Sequence, residues 1–343
     1  MPPARTVGCA VASGWMTALA ALYCKRPRAG SCPVLYMALA PGNEVFRVSR
    51  PAVHGLLVID KPAGITSRGA VDRVQGCFPR GTKIGHAGTL DPLATGVLVI
   101  CVGAATRLTE YIQDMTKTYR AGILLGSRSD TDDADGTVTL VADARPPDRS
   151  AVERCLSEFV GEIEQRPPAF SAAKLEGRRA YTMARRGEDV DLRTRRVRVE
   201  QIEVLFYEYP HLEIEVRCGK GTYIRSLARD LGERLDCGGL IETLRRTRIG
   251  CFTEVKALAL DRDARDVRSS LMPLAAAVSH LARIKLDEAR IAKLRKGLAV
   301  PVEPVGSLEN EDVAVSDEND ELAAIARFDR VKGLLWPEKV IVA

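Results

Sequence analysis

The chain is short of the residues from which metal, redox and membrane sites are built. It has 4 His, 2 Trp and an aromatic share of 5%. Its 9 Cys are spread singly from Cys9 to Cys251 with no C-x-x-C pair, which speaks against a zinc knuckle and a disulfide framework and suits a reducing compartment. His54, His86, His211 and His280 form no cluster with metal-ligand spacing. The longest uncharged apolar-leaning run, Val7 to Tyr23, covers 17 residues diluted by Gly8, Ser13, Gly14 and Thr17. A bilayer span needs about 20, so no membrane anchor is expected. The acidic stretch Asp130-Thr-Asp-Asp-Ala-Asp-Gly136 invites a calcium reading. Aligning Gly136 with the glycine of a calcium loop puts Ala142 where a bidentate Glu is required, so the stretch reads as a polar turn.

What is present is 343 residues, 46% hydrophobic and 28% charged, enough for about two domains with a sizeable core. The formal net charge of +5 is carried entirely by residues 1–50, which hold six basic side chains and one acid. The remainder is neutral in sum but segregated. From Gln165 to Arg198 ten basic residues face four acidic ones, and from Arg217 to Arg248 eight face four, while acids gather at Asp130–Asp135 and Glu303–Asp320. Such a distribution suits a polyanionic partner without requiring one.

Residues 1–50 are rich in small residues and poor in acids. They fit a secretory signal or a transit peptide less well than a disordered or wrongly assigned start upstream of an internal Met such as Met37, and are expected to lie outside the fold. Gly55-Leu-Leu-Val-Ile-Asp60, ended by Lys61-Pro62, reads as a buried strand entering a turn. Thr66 or Ser67 can cap a helix, and Ser150-Ala-Val-Glu153 reads as a capping box. Leu212, Ile214 and Val216 alternate with charged residues as in a half-buried strand. Ile224, Leu227, Ala228, Leu231 and Leu235 trace a helical face. The mixed element order predicts α+β with a largely antiparallel sheet, followed after residue 284 by a small β-rich unit.

The densest run of unusual residues is Gly85-His-Ala-Gly-Thr-Leu-Asp-Pro-Leu-Ala-Thr-Gly96. Three glycines, a proline and two threonines in twelve residues exclude a regular helix or central strand and predict a shaped loop. In it sits one carboxylate, Asp91. As a bare Asp-Pro it would cap a turn; presented by a rigid loop beside a cation, it would be a nucleophile or base.

This run resembles the catalytic loop of the TruB-type tRNA pseudouridine synthases. Further segments resemble the same family in order: Leu57-Val-Ile-Asp-Lys-Pro62, Lys117-Thr-Tyr119, Thr131-Asp-Asp-Ala-Asp-Gly136, Gln165-Arg-Pro-Pro-Ala-Phe-Ser171, Gly219-Lys-Gly-Thr-Tyr-Ile-Arg225 and Leu244-Arg-Arg246. The resemblance covers about residues 54–283, with a looser likeness to a PUA-like RNA-binding domain in 285–343. It implies a pseudouridine-synthase-type fold over 51–284 with an RNA-clasping insertion at about 165–198. It also implies isomerisation of uridine 55 in the T-arm loop of tRNA, by a cytoplasmic monomer that uses no metal or other cofactor. A stand-alone enzyme is favoured over a guide-RNA-dependent relative by the compact insertion, and over a non-catalytic RNA chaperone by Asp91.

The resemblance assigns roles residue by residue. Asp91 is the catalytic carboxylate, Arg225 its salt-bridge partner and Tyr119 the stacking aromatic on which a flipped base rests. His86 fills the space that the base leaves, Tyr223 lies in the same pocket and Leu244 is its apolar wall. Lys61, Arg107, Lys174, Arg185 and Arg186 are expected to contact RNA. Arg107 stands where relatives often carry Lys, and Phe170 where many carry Tyr.

Overall fold

The computed structural model describes residues 53–171, 192–303 and 311–341, together with 174, 175, 178, 179, 181, 183 and 186. The expected extension over 1–50 and Arg185 lie outside the described residues, as does the side chain of Lys174.

In chain order the elements begin with β1 (Gly55–Lys61), α1 (Ser67–Gln75), β2 (Ile84–Ala87), β3 (Thr95–Val102), α2 (Thr109–Asp114) and β4 (Lys117–Leu125). A small hairpin, β5 (Ser127–Ser129) and β6 (Val138–Leu140), carries the acidic turn and leads to α3 (Arg149–Ser157) and β7 (Gly161–Gln165). Short β8 (Lys174–Leu175) and β9 (Arg178–Arg179) precede the long pair β10 (Arg195–Glu208) and β11 (His211–Cys218), then α4 (Ile224–Arg234) and β12 (Gly239–Ile249). β13 (Phe252–Thr253), β14 (Leu258–Ala259) and α5 (Ala264–Ser269) close this part. The C-terminal part holds β15 (Arg283–Lys285), α6 (Glu288–Arg295), β16 (Val300–Pro301), β17 (Asp312–Ser316), β18 (Leu322–Asp329) and β19 (Leu334–Val340).

The main sheet runs β14-β1-β3-β12-β4-β11-β10-β7, with β2 beside β3 and β13 beside β12. Its pairs are antiparallel apart from β1 with β14 and β12 with β3, so the expected mixed, largely antiparallel α+β sheet is what forms. Burial explains why some strands are apolar runs and others alternate. In β1, Leu57 and Ile59 enter one core cluster and Leu56 and Val58 another, and β3 divides likewise into Leu98 and Ile100 against Val97 and Val99. Both faces are covered, so neither strand has a polar face. β11 buries Leu212, Ile214, Val216 and Cys218 and turns His211, Glu213 and Arg217 to water, giving period two.

Helix starts follow local chemistry. Thr66 caps α1, its hydroxyl accepting from the Gly69 amide at 3.0 Å. At α3 the cap is Asp148, accepting from the Ala151 amide at 2.7 Å, in place of the expected Ser150. The Ser150 hydroxyl itself donates to Asp148 at 2.7 Å, because the carboxylate is the stronger acceptor. α4 has no side-chain cap and is held by burial of Ile224, Leu227, Ala228 and Leu231, at about 1.5–3 kcal/mol for each fully buried large aliphatic side chain.

The second sheet, β15-β17-β18-β19-β16, is the small β-rich unit expected at the C-terminus. It does not stand apart. Leu322, Ile325 and Ile341 pack in one cluster with Leu56, Val58, Val99 and Tyr111, and Tyr111 donates to Asp312 at 3.0 Å. Among the described residues no helix is long and apolar enough to cross a membrane.

Candidate active site

The loop between β2 and β3 is pinned from below at almost every carbonyl. Ser67 at the start of α1 accepts from the Leu90 amide at 2.8 Å and donates to the Leu90 carbonyl at 2.9 Å. The buried Lys61 ammonium donates to the carbonyls of Pro62 at 2.9 Å, Ile65 at 2.8 Å and Pro92 at 3.3 Å, and the Gly64 amide donates to Pro92 at 2.9 Å. The fully buried Arg246 guanidinium donates to Val97 at 2.8 Å, Gly88 at 3.1 Å and Thr89 at 3.4 Å. Gly96 lies at φ +97°, and a Cβ there would collide with the Arg246 carbonyl oxygen, so β3 and β12 approach this closely because of glycine.

With its backbone so fixed, the loop presents Asp91 toward α4. An Asp91 carboxylate oxygen meets the Arg225 guanidinium at 2.9 Å, and 35% of the Asp91 side chain stays accessible from the cavity. Arg225 is nearly sealed. It also donates to Asp133 at 3.0 Å, to the Thr131 carbonyl at 2.9 Å and to the Phe170 carbonyl at 2.9 Å. Asp133 in turn accepts from the Thr131 hydroxyl at 2.5 Å and the Asp135 amide at 3.2 Å. One guanidinium therefore serves two carboxylates, with the acidic turn as its clamp.

Burial pushes the Asp91 carboxyl above the ordinary carboxylate range; Arg225 opposes the rise, Asp133 adds to it and Lys61 opposes it. Burial pulls Lys61 down to about 8 against the attraction of Asp91, with Arg246 adding to the fall. Lys117, at the inner end of β4, is pulled down to about 8 chiefly by burial. These are the properties of a partly desolvated acid held among cations.

Asp91, Tyr119, Tyr223, Arg225, Leu244 and Arg246 line a common cavity of about 240 Å³, with Lys117, Lys220 and Thr222 completing its wall. Drug-sized ligand pockets run to roughly 300–1,000 Å³, so this space suits a single base. The Tyr119 ring faces inward from β4, with the Arg246 guanidinium centre 6.0 Å from its centroid. Tyr223 precedes α4, and Gln165 grips its backbone twice, accepting from the amide at 2.7 Å and donating to the carbonyl at 3.0 Å. Among the described residues no group of three or more His, Cys, Asp or Glu is set to hold a metal ion.

The structure thus brings together Asp91, Arg225, Tyr119, Tyr223 and Leu244. It places Lys61 beneath the loop, where its ammonium is engaged with carbonyls. His86 lies on β2 opposite Ile100 and is not among the cavity-lining residues. Arg107 is not brought to the cavity: its guanidinium donates to the Val340 carbonyl, and Lys339 donates back to the Arg107 carbonyl at 3.1 Å. The reason is distance along β3, whose eight residues carry the chain about 26 Å from the loop. Arg186 is exposed. Sequence reasoning missed Asp133 and Arg246. A run of acids that fails as a calcium loop still needs a cation, and that was the available signal for Asp133.

The solved structure described as a Cbf5-Nop10-Gar1 complex aligns over 84% of this chain and 85% of its own, with a TM-score of 0.66 and 28% identity. A second, described as an H/ACA RNP bound to a substrate RNA containing 2'-deoxyuridine, aligns with a TM-score of 0.64 and 27% identity, over 84% of this chain and 85% of that one. Residues 78–224 match the TruB family pseudouridylate synthase N-terminal domain, and 225–279 the tRNA pseudouridylate synthase B C-terminal domain. A tRNA pseudouridine synthase B of Xylella fastidiosa is 40% identical over 86% of this chain and 98% of its own length. One from Cereibacter sphaeroides is 45% identical over 72% of this chain and 83% of its own. The chain belongs to the TruB family of pseudouridylate synthases.

Proposed function

We propose that this enzyme isomerises uridine 55 in the T-arm loop of tRNA, with Asp91 as the group that acts at the ribose. The observation that carries the reading is the Asp91–Arg225 pair at 2.9 Å, opening on a base-sized cavity between two tyrosines. A uridine in a folded loop is out of reach of an enclosed carboxylate, so the nucleotide swings out of its stack, at a cost of a few kcal/mol. Stacking on Tyr119 offsets about 1–3 kcal/mol of this. The N1–C1′ bond then breaks, the base turns, C5 bonds to C1′, and the proton lost from C5 is matched by one gained at N1. Reactant and product have the same atoms, so no second substrate is consumed. Asp91 acts as carboxylate, and Arg225 favours that form. The basic segment over 165–198 holds phosphates.

Asp91→Asn should abolish pseudouridine formation on a T-arm stem-loop while leaving RNA affinity within about threefold. Turnover at the wild-type rate by this variant would reject the assignment, and would favour a chaperone that clamps RNA without chemistry.

A further inference from the structure

The inner wall of the cavity holds a cation with no acid of its own. Arg246 is 1% exposed, the bulkiest of the fully buried side chains, and no described carboxylate lies within ion-pair distance of it. A buried charge without a counter-ion is expensive to maintain. Here backbone dipoles compensate it, and those dipoles belong to the catalytic loop and the strand that follows.

We propose that Arg246 is a positioning residue for the reaction, holding the Gly88–Thr89 limb of the catalytic loop and the Tyr119 ring in one register so that Asp91 meets the sugar carbon of the stacked nucleotide. Three contacts support this. Its η nitrogens reach the carbonyls of Gly88 and Thr89, three and two residues before Asp91. Its Nε reaches Val97, fixing the exit of the loop into β3. Its guanidinium lies 6.0 Å from the Tyr119 centroid and draws the phenol down, against the rise that burial imposes. Lys61 grips the opposite limb of the loop at Pro92. The two buried cations hold the loop carbonyls turned into the protein, leaving the carboxylate to face the cavity. The neighbouring Arg245 is different in kind: it pairs at the surface with Asp60 and Glu254 and touches no loop carbonyl.

This inference rests on Asp91 being the reacting group, which the Asp91→Asn variant tests separately. Its own test is single-turnover kinetics of Arg246→Met and Arg246→Lys on a T-arm stem-loop, with reaction amplitude, RNA affinity and thermal unfolding measured alongside. A misplacement of about 1 Å costs about 10²-fold in rate. Arg246→Met should therefore react about 10²-fold more slowly, with full amplitude and affinity within threefold. Arg246→Lys, which keeps the charge and fewer donors, should fall between it and wild type. A destabilised structural residue would instead lose amplitude while the surviving molecules react at the normal rate. Rate constants within threefold of wild type, losses confined to amplitude or affinity, or absence of cooperative unfolding in both variants would each overturn the proposal. Should Asp91→Asn prove active, the reading of the reacting group falls first, whatever Arg246 does.

Discussion

Replacing Asp133 by Asn tests whether a single guanidinium is shared by two acids. The substitution keeps the shape of the side chain and the acceptor for Thr131 and the Asp135 amide. It removes the charge facing Arg225 at 3.0 Å and can set an amide against the guanidinium. Charges about 4 Å apart at an effective dielectric near 20 attract by about 4 kcal/mol. Breaking a buried pair costs roughly 3–5 kcal/mol, and the retained hydrogen bonds favour the lower end. At about 2–4 °C per kcal/mol for a domain of this size, the melting temperature should fall by roughly 6–12 °C. Two kinetic effects accompany it. Arg225 loses the one charged anchor among its three fixed ones, keeping the Thr131 and Phe170 carbonyls, and shifts relative to Asp91, slowing single-turnover release of tritium from 5-labelled uridine by about 10²-fold. Asp133 also pushes the Asp91 carboxyl upward, so its removal should move the acid limb of the rate profile to lower pH even as the plateau falls. A plateau within threefold of wild type with an unchanged melting temperature would refute the shared-guanidinium reasoning.

The rate should depend on pH in two limbs. Because burial holds Asp91 above the ordinary value of about 3.9, activity should be lost on acidification at a pH above that value. Lys61, at about 8, should lose its proton as pH rises through that value, weakening its hold on the Pro62, Ile65 and Pro92 carbonyls beneath the loop, so the rate should fall again. Its effect on stability has the opposite sign. The folded pKa is depressed, so the folded state binds fewer protons than the unfolded one between about 8 and 10.5, and this site gains stability as activity declines. Parallel loss of rate and melting temperature across that window would count against Lys61 as the source. Gly96→Ala should lower the unfolding free energy in denaturant by roughly 2–5 kcal/mol, from positive-φ strain and displacement of β12. A variant as stable as wild type would contradict the close approach of β3 and β12.

Local features were legible in the sequence, and long-range ones were not. The uninterrupted apolar letters of β1 and β3 announce strands covered on both faces, and the alternation in β11 announces one open face. The glycines and proline around Asp91 announce a shaped loop. Nothing in β12 says that it inserts between β3 and β4, since that choice is made by packing partners far along the chain. Asp133 lies 92 residues from Arg225, so its role is invisible until the acidic turn folds back onto α4. Arg107, sixteen residues after Asp91, is in turn held away from the cavity by its contacts with Val340 and Lys339, which the sequence does not foretell. At α3 the cap is Asp148, two residues before the expected Ser150, because a carboxylate is the stronger acceptor.

The C-terminal sheet has a structural consequence beyond any contact with RNA. Leu322, Ile325 and Ile341 roof the apolar side chains on the far side of β1 and β3, from Leu56 to Tyr111. A chain cut before β15 would leave those side chains wet, immediately behind the strands that flank the Asp91 loop. The small sheet is cladding for the main sheet, and shortening the protein from that end strips insulation from the layer behind the Asp91 loop.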